Sequence, residues 1–251
     1  MKARTGKGSK VRLDELLVRR GLAPSRQRAQ ALILAGLVQV EGRRGEKPGK
    51  MVAEDVELFL LEPPHPWVSR GGVKLAGALE ALGVTVEGKR CLDVGASTGG
   101  FTHVLLACGA REVVAVDVGR GLLHWQLRQD PRVKVVEGVN ARFLTAEQVH
   151  PPFDLITVDV SFISLTLILP VVMGFLAPGG EILALVKPQF EVGRGKVGKG
   201  GVVRDESLRS QAIERVVQAA QMLGLRVLGR CPAPLPGPAG NLEEFLRLAG
   251  A

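Results

Sequence analysis

The sequence has few residues of the kinds that bind metals or form disulfide bonds. Its 251 residues include three cysteines and four histidines. The cysteines stand in apolar or loop settings without a CxxC pair, and the histidines are scattered without ligand spacing. This pattern indicates free thiols in a reducing compartment. We therefore expect a cytoplasmic protein without a metal site.

The sequence also lacks a long apolar run, although 46% of its residues are hydrophobic. None of its runs approaches the length that crosses a bilayer. The first ten residues, MKARTGKGSK, are basic and have no apolar segment behind them, which is not typical of a secretory signal. We expect no membrane partner, and the hydrophobic content is enough for a sizeable core in one or two domains.

Acidic residues are scarce in the first fifth of the chain. Residues 1–50 hold 13 Lys/Arg and 4 Asp/Glu, whereas residues 51–251 hold 20 and 21. A basic module beside a near-neutral one indicates a polyanion-binding part attached to a catalytic part. We predict a disordered basic tail over 1–10, a small domain over 11–61, a proline-rich linker over 62–66 and a large domain over 67–251.

In the small domain, leucines at helical spacing begin at Leu13, and Gly21 marks the end of the helix. Ser25 is placed to cap a second helix that ends at Gly36. LVQVEG and VELFLL follow as strands, with a turn at KPGKMV between them. The alternative to a binding module is a small packing domain with a charged face.

The patterns R-L-D-x-L-L, S-R-x-x-A and G-x-V-x-V-x-G resemble the S4-like RNA-binding fold, a small α+β domain. The resemblance implies that basic residues on the surface meet RNA phosphates. The candidates are Arg12, Arg19, Arg20, Arg26, Arg28, Arg43, Arg44, Lys47 and Lys50.

The stretch CLDVGASTGGF, residues 91–101, places glycines between an apolar strand and an apolar helix. Such a turn sets bare N–H groups at a helix N-terminus against a ligand. Neither GxGxxG nor GxxxxGK[ST] occurs, which disfavours dinucleotide and P-loop sites. The form D-x-G-x-x-x-G-G resembles the first motif of the S-adenosylmethionine-dependent methyltransferases, and the alternative is a turn without a ligand. The resemblance implies a cofactor held by Gly95, Ala96, Ser97, Thr98, Gly99, Gly100 and Phe101.

Short apolar strands alternate with helices through the large domain. KRCLDV, EVVAVDV, VKVVEG, FDLITVDV and EILALVKP predict a parallel sheet covered on both faces, a doubly wound α/β fold. A helix around LTLILPVVMGFL should be kinked at Pro170. A basic glycine-rich loop over 190–203 precedes a long helix from Asp205 to Leu223, then LRVLGR as a sixth strand. NLEEFLRLAG closes the fold as an antiparallel strand.

Ligands of such sheets bind outside the carboxyl ends of the strands. Five charged residues are predicted at that edge: Asp93, Asp117, Asp159, Lys187 and Glu243. Asp117 lies 22 positions after Gly95, close to the spacing at which a strand-end acid binds ribose. Lys74 lies at the start of the helix before the first strand of the sheet. Each residue alone could be a cap or a solvated charge, but their convergence beside a nucleotide turn indicates a site.

The order Lys74, Asp159, Lys187, Glu243 resembles the tetrad of the RrmJ/FtsJ-type ribose 2′-O-methyltransferases. The segments VSRGGVKL, LDVGASTGGFT, DLITVDVSFISL, LVKPQFE and GPAGNLEEF are similar to the TlyA family, from about Val11 to Leu248. The resemblance implies methylation of cytidine 2′-hydroxyls in ribosomal RNA, with ribosomal RNA or ribosomal subunits as partners. The EPPHPWV connector is not a family motif, and Glu243 is preferred over Glu244 by the spacing G-N-x-E.

The same resemblance implies how the residues divide the work. Asp117 would bind the ribose of the cofactor, the 95–100 turn its methionine end and Asn140 its adenine side. Asp93 would serve the methionine part or only brace the turn. Lys187 would act as the base if its surroundings favour the neutral amine, and otherwise it would position the hydroxyl.

Three other functions are compatible with parts of the sequence. A methyltransferase for a small molecule or protein does not readily explain the Lys-Asp-Lys-Glu set. A membrane-active, haemolysin-like protein is disfavoured because the chain lacks a strongly amphipathic basic helix. A ribosome-binding factor with an inactive methyltransferase domain is disfavoured by the intact turn and tetrad. The oligomeric state and the modified nucleotide are left open.

Overall fold

The computed structural model describes residues 10–23, 25–34, 36–45, 47–61, 65–193, 195–198 and 200–250, without the side chains of Arg28, Ala31 and Arg44. These residues fall into two compact units that divide between Pro66 and Trp67. Positions 1–9 of the predicted tail and positions 62–64 of the predicted linker lie outside the described residues. No helix in the described ranges is both long and apolar enough to cross a membrane.

In its described ranges, the N-terminal unit contains two helices and five short strands. They are β1 (Lys10–Arg12), α1 (Leu13–Arg19), α2 (Arg26–Leu34), β2 (Val38–Val40), β3 (Arg43–Arg44), β4 (Met51–Ala53) and β5 (Leu58–Leu60). β1 pairs with β4, and β2 pairs with β3 and β5, all antiparallel. The leucines predicted on one face of α1 form the core of this unit with Ala29, Ile33 and Val38.

Two local predictions for this unit are wrong. Lys10, assigned to a disordered tail, begins β1, and Met51, assigned to a turn, begins β4 as the partner of β1. β1 and β4 take their residues from segments that the pattern assigns to a polar tail and a turn, and it is their mutual pairing that identifies them as strands.

The larger unit contains a seven-stranded sheet in the order β11-β12-β10-β9-β6-β7-β8. Its helices are α3 (Arg70–Ala81), α4 (Gly100–Ala107), α5 (Trp125–Gln129), α6 (Ala146–Val149), α7 (Leu169–Met173), α8 (Pro188–Glu191) and α9 (Glu206–Met222). Its strands are β6 (Arg90–Val94), β7 (Glu112–Asp117), β8 (Val133–Glu137), β9 (Phe153–Val158), β10 (Leu176–Val186), β11 (Arg226–Pro232) and β12 (Glu244–Ala249).

The direction and burial of the strands confirm the predicted doubly wound sheet. β8, β7, β6, β9 and β10 run parallel, and β12 is antiparallel to both β10 and β11. Alternate residues of β6 enter two cores: Leu92 and Val94 pack on one face of the sheet and Cys91 on the other. Both faces are therefore covered, which is why these strands are nearly continuous apolar runs.

Two details of the larger unit differ from the sequence-based prediction. The predicted kinked helix is a 3-10 helix over Leu165–Leu167 followed by α7, whose first turn holds Pro170. Proline lacks an N–H and is tolerated where a helix begins, so it starts a helix here and does not kink one. β10 begins at Leu176, before the predicted strand EILALVKP, and its pairing with β9 shifts register between Leu176 and Glu181.

Candidate active site

The sheet register gathers the predicted charged residues at one edge. Val158 of β9 lies opposite Ala184 of β10, and Val186 lies opposite Glu244 of β12. The residues just beyond these strand ends are Asp159, Lys187 and Glu243. Because β12 is antiparallel, its first residues share an edge with the last residues of its neighbours. The predicted convergence of these three residues is therefore a property of the fold.

Lys74 and Glu243 form a buried ion pair. Lys74 Nζ donates to Glu243 Oε2 at 2.5 Å, and the two side chains are 8% and 1% exposed. Gly237 packs against the same carboxylate, since a Cβ at that position would lie 2.5 Å from Glu243 Oε1. Glu244 instead points away and pairs with Arg230 at 3.4 Å. The structure thus places Glu243, and not its neighbour, with Lys74.

Lys187 is held by two side chains of the segment that follows β9. Its Nζ lies 2.6 Å from Asp159 Oδ1 and donates to Ser161 Oγ at 2.9 Å. The approach to Asp159 lies outside hydrogen-bond angles, so that contact is ionic. The tetrad is therefore two lysine–carboxylate pairs, one between α3 and the residue before β12 and one between the residues that follow β9 and β10. Ser161 was not predicted, and its position two residues after Asp159 was the only available signal.

The glycine turn adjoins this cluster through main-chain contact. Gly95 has φ 89°, and a Cβ built on it would lie 2.4 Å from the carbonyl oxygen of Asp159. Gly99, with φ 95°, is the N-cap of α4 and leaves room for the side chains of Leu123 and Leu127. A side chain at either position would collide, and positive φ is strained for other residues. The turn is therefore shaped for close backbone approach.

The other residues of the turn divide between surface and core. Ser97 and Thr98 are exposed, whereas Ala96 and Gly100 are buried. Phe101 is also buried and its ring packs against Phe245. Its predicted contact with a cofactor can therefore involve only its main chain, at the free N–H groups of the first turn of α4.

Asp117 connects the turn to the loop after β7. Its carboxylate accepts from the Ser97 N–H at 2.8 Å and the Gly119 N–H at 2.7 Å. An ionised carboxylate has about four acceptor sites, so acceptor capacity remains for ribose hydroxyls. Asn140 lies beyond β8, exposed, and its side chain accepts from the Arg142 N–H as a helix cap. Both residues stay predicted cofactor contacts.

Asp93 is a buried residue that supports the glycine turn through hydrogen bonds. It is fully buried, and its two oxygens accept from Thr102 Oγ1 at 2.6 Å and Thr157 Oγ1 at 3.0 Å. These bonds tie β6 to β9 and to the first turn of α4. The geometry favours the bracing role over contact with the methionine part of a cofactor. Burial raises the pKa of Asp93 to about 6, against the opposing effect of the two threonine hydrogen bonds.

This raised pKa predicts a pH-dependent stability. The folded chain holds the Asp93 proton more tightly than the unfolded chain, whose carboxyl has a pKa of about 3.9. Stability is therefore lost as pH rises from about 4 to 6, by up to about 3 kcal/mol. We expect Asp93→Asn to remove this loss in urea unfolding between pH 4 and 7. A constant difference between the variant and the original chain would contradict the assignment. Asp130→Asn is the control: Arg132 lowers the pKa of Asp130, so its contribution to stability changes below about pH 4, and the variant should keep the loss between pH 4 and 7.

Phe162 is a second residue that the sequence did not reveal. Its side chain is 91% exposed, and its φ of 65° is strained for a bulky residue. The ring lies 5.2 Å from that of Phe190, between centroids. Phe162 directly follows Ser161, which accepts from Lys187. Its exposed ring therefore offers a flat apolar surface close to the Asp159–Lys187 pair. Such strain beside a charged cluster is typical of functional sites.

In the N-terminal unit, two of the predicted RNA-binding arginines pair with a buried carboxylate. Arg12 donates twice to Asp14, at 3.0 and 2.9 Å, and Arg26 donates at 3.1 Å. Gln30 adds a fourth hydrogen bond at 2.8 Å. The bond from Arg12 holds the pKa of Asp14 well below its usual range. Arg12 and Arg26 therefore stabilise the unit, which the sequence did not predict.

Of the remaining basic residues of this unit, some have protein partners and others are exposed. Arg19 pairs with Glu15 and Glu54, and Arg20 donates to two main-chain carbonyls. Three others are exposed and form no ion pair within the described part of the chain: Arg43, Lys47 and Lys50. The side chains of Arg28 and Arg44 lie outside the described residues. Across the described ranges, no group of three His, Cys, Asp or Glu could hold a metal ion.

Comparison with known proteins agrees with this geometry. The model of the FtsJ-like methyltransferase family matches residues 67–250, and that of the S4 domain matches residues 11–58. The 16S/23S rRNA (cytidine-2′-O)-methyltransferase TlyA of Mycobacterium tuberculosis is 52% identical over 95% of this chain and 90% of its own. Hemolysin A of Brachyspira hyodysenteriae is 39% identical over 93% and 97%.

A solved structure extends the comparison to three dimensions. A Streptococcus thermophilus protein that carries a hemolysin name has a TM-score of 0.75 and 42% identity, covering 96% of this chain and 89% of its own. The match spans almost the whole of both chains. The chain therefore belongs to the TlyA family and combines an S4 domain with an FtsJ-like methyltransferase domain.

Proposed function

We propose that this protein transfers a methyl group from S-adenosylmethionine to the ribose 2′-hydroxyl of cytidines in ribosomal RNA. The observation that carries the proposal is the contact between the Gly95 turn and Asp159. A cofactor seated on the turn would lie beside the Asp159–Lys187 pair. A relative at 52% identity bears the name of this activity.

The glycine turn and Asp117 fit the proposed cofactor. The turn offers close backbone approach and helix N–H groups, and Asp117 offers a carboxylate at its rim. When bound, S-adenosylmethionine supplies a methyl group already activated by its sulfonium charge. The residues of the chain then have to align one oxygen and manage one proton.

Lys187 is the residue placed for that task. Asp159 and Ser161 fix its Nζ from one side, so the amine has a defined direction. We assign Lys187 to hold the 2′-hydroxyl and accept its proton, a step for which the ammonium paired with Asp159 must first lose a proton to solvent. The ion pair of Lys74 and Glu243 supplies the other two charged side chains of the site. The exposed ring of Phe162 offers a stacking face for the base.

The cofactor assignment predicts that Asp117→Ala weakens S-adenosylmethionine binding. A hydrogen bond to a charged group contributes about 1.5–3 kcal/mol, so the dissociation constant should rise about 10- to 150-fold. Isothermal titration calorimetry measures this change. Asp154→Ala is the control, because Asp154 accepts from the Arg90 N–H at the opposite end of β6. Unchanged affinity in Asp117→Ala would rule out this cofactor site.

We assign RNA binding to residues 11–61 and methyl transfer to residues 67–251. The three exposed cations of the N-terminal unit are the best candidates for phosphate contacts, because Arg12 and Arg26 are engaged by Asp14. We expect alanine at Arg43, Lys47 and Lys50 to weaken RNA binding without lowering stability. The slope of log K against log salt should fall by about 0.7 for each lost contact with single-stranded RNA.

The matched control for that prediction is Arg12→Ala. It should lower the stability of the unit by leaving Asp14 buried with fewer partners. Filter binding over a salt series measures the slope, and thermal unfolding measures stability. An unchanged slope in the triple variant would contradict the assignment of the phosphate contacts.

Mapping of 2′-O-methyl groups tests the proposed function as a whole. Ribosomal subunits from cells that lack the protein are incubated with the purified chain and S-adenosylmethionine. New 2′-O-methylcytidine is the expected product. Binding of S-adenosylmethionine without any methylation of ribosomal RNA would overturn the proposal. Dye leakage from vesicles, measured with the same preparation, tests the activity in the name of Hemolysin A.

A further inference from the structure

A third buried carboxylate lies close to the proposed site without belonging to the tetrad. Glu191 ends α8, four residues after Lys187, and is 3% exposed. Its Oε2 accepts from Ser164 Oγ at 2.5 Å and its Oε1 accepts from the Leu165 N–H at 2.8 Å. Burial raises the pKa of Glu191, against the effect of these hydrogen bonds. Burial of a carboxylate costs free energy unless the group is paired and hydrogen-bonded.

The two partners of Glu191 stand at the end of segment 159–165, which carries the contacts to Lys187. The segment is fixed at its start by a hydrogen bond from the Asp159 N–H to the Val94 carbonyl at 2.9 Å. Glu191 fixes the other end. Between these anchors lie Ser161, which accepts from Lys187, and the strained Phe162. A strained conformation persists only where its surroundings over-determine it.

The main chain of Glu191 is itself held by a side chain of α9. Arg215 of α9 donates to the main-chain carbonyl of Glu191 at 3.2 Å. Pro188 begins α8 directly after Lys187, so the main chain between Lys187 and Glu191 is one rigid turn. Lys187 and Glu191, which holds segment 159–165, therefore lie on one short and rigid piece of backbone.

We propose that Glu191 is a positioning residue: it holds segment 159–165 so that Ser161 meets Lys187 and the ring of Phe162 faces outward. This inference rests on the proposed function for its effect on rate. Its structural part does not depend on that function. The role differs from that of the tetrad, because the Glu191 carboxylate hydrogen-bonds to Ser164 and Leu165, whereas Lys187 pairs with Asp159.

The test compares Glu191→Ala with Glu191→Gln. Glutamine can accept from the Leu165 N–H and donate to Ser164 Oγ, so it should keep the rate near that of the original chain. With alanine, the single-turnover rate should fall by up to about 100-fold, because small misplacements of reacting groups have effects of this size. Affinities for S-adenosylmethionine and RNA should change by less than about 3-fold, as for groups that act on the chemical step.

Three further measurements keep the test decisive. Hydrogen exchange of amides over 159–165 should become faster in Glu191→Ala, whether or not the chain proves to be a methyltransferase. If Glu191→Ala does not fold, Ser164→Ala should give a smaller change of the same kind. Effects of Glu191→Ala and Ser161→Ala on rate should be far from additive, since both act on one contact.

Glu181→Ala is the matched control, because Glu181 is a largely buried carboxylate of β10 that pairs with Arg247 at 2.6 Å, before the strand reaches the site. A rate loss in Glu191→Ala no greater than in Glu181→Ala would overturn the proposal. Unchanged exchange over 159–165, additive effects with Ser161→Ala, or a Glu191→Gln rate as low as that of alanine would overturn it as well. Absence of methyl transfer in the original chain refutes the proposed function, and the exchange result still decides the positioning role.

Discussion

Replacement of Lys187 by alanine is expected to lower the single-turnover rate of methyl transfer by about 100- to 10,000-fold, the range for loss of a general acid or base. Lys187 Nζ is held by Asp159 and Ser161 at the edge where the glycine turn meets Asp159. Binding of S-adenosylmethionine and RNA should stay within about 3-fold, because the loss is confined to the chemical step.

The conservative substitution decides what Lys187 does. Lys187→Arg keeps the charge but cannot release its proton in a protein, and its planar group has a different shape. It should therefore be as slow as alanine. Lys134→Ala is the control, since Lys134 forms an ion pair with Glu112 on β7 and should affect the rate by less than about 2-fold. An arginine variant with near-normal turnover would exclude the proton-accepting role.

The convergence of this site was predictable because it follows from local pattern and topology. Apolar strands identify themselves by their length and flanking turns, and parallel strands place their ends on one edge. Asp159 and Lys187 were found in this way. Their partner Ser161 was not, because a serine after a strand is as typical of a turn as of a site.

Side-chain direction at the strand ends was harder to predict. Asp93 precedes the last residue of β6, and one position decides whether a side chain faces the core or the edge. Its burial under Thr102 and Thr157 depends on α4 and β9, which are distant in sequence. The burial of Phe101 also depends on a distant element, since packing against Phe245 of β12 removes its ring from the ligand side.

The basic residues of the N-terminal unit show a second limit of sequence reasoning. Charge composition predicts that arginines lie outside, which holds for Arg43. It does not predict that Asp14 is buried and must be paired. Arg26 reaches it from α2, twelve positions along the chain. The packing of α1 on α2 gives Arg26 this structural partner, which the sequence pattern does not predict.

The pair formed by Lys74 and Glu243 predicts a loss of both activity and stability. Removal of one partner leaves an uncompensated buried charge, which typically lowers the free energy of unfolding by about 3–5 kcal/mol. We expect this loss for Glu243→Ala in urea unfolding, together with a large fall in the single-turnover rate. The double variant Lys74→Ala, Glu243→Ala should be more stable than the sum of the single losses predicts, because it buries no lone charge.

Glu243→Gln separates the two effects, and the adjacent Glu244 supplies the control. Glutamine keeps the volume and can accept from Lys74, so it should recover much of the stability. If Glu243 only supports the fold, this variant will also recover the rate; if it belongs to the site, the rate stays low because the negative charge beside Lys74 is lost. Glu244→Gln removes a partly exposed partner of Arg230 and should leave the rate within about 2-fold. Equal effects of the two glutamine substitutions on the rate would mean that Glu243 has no special part in methyl transfer.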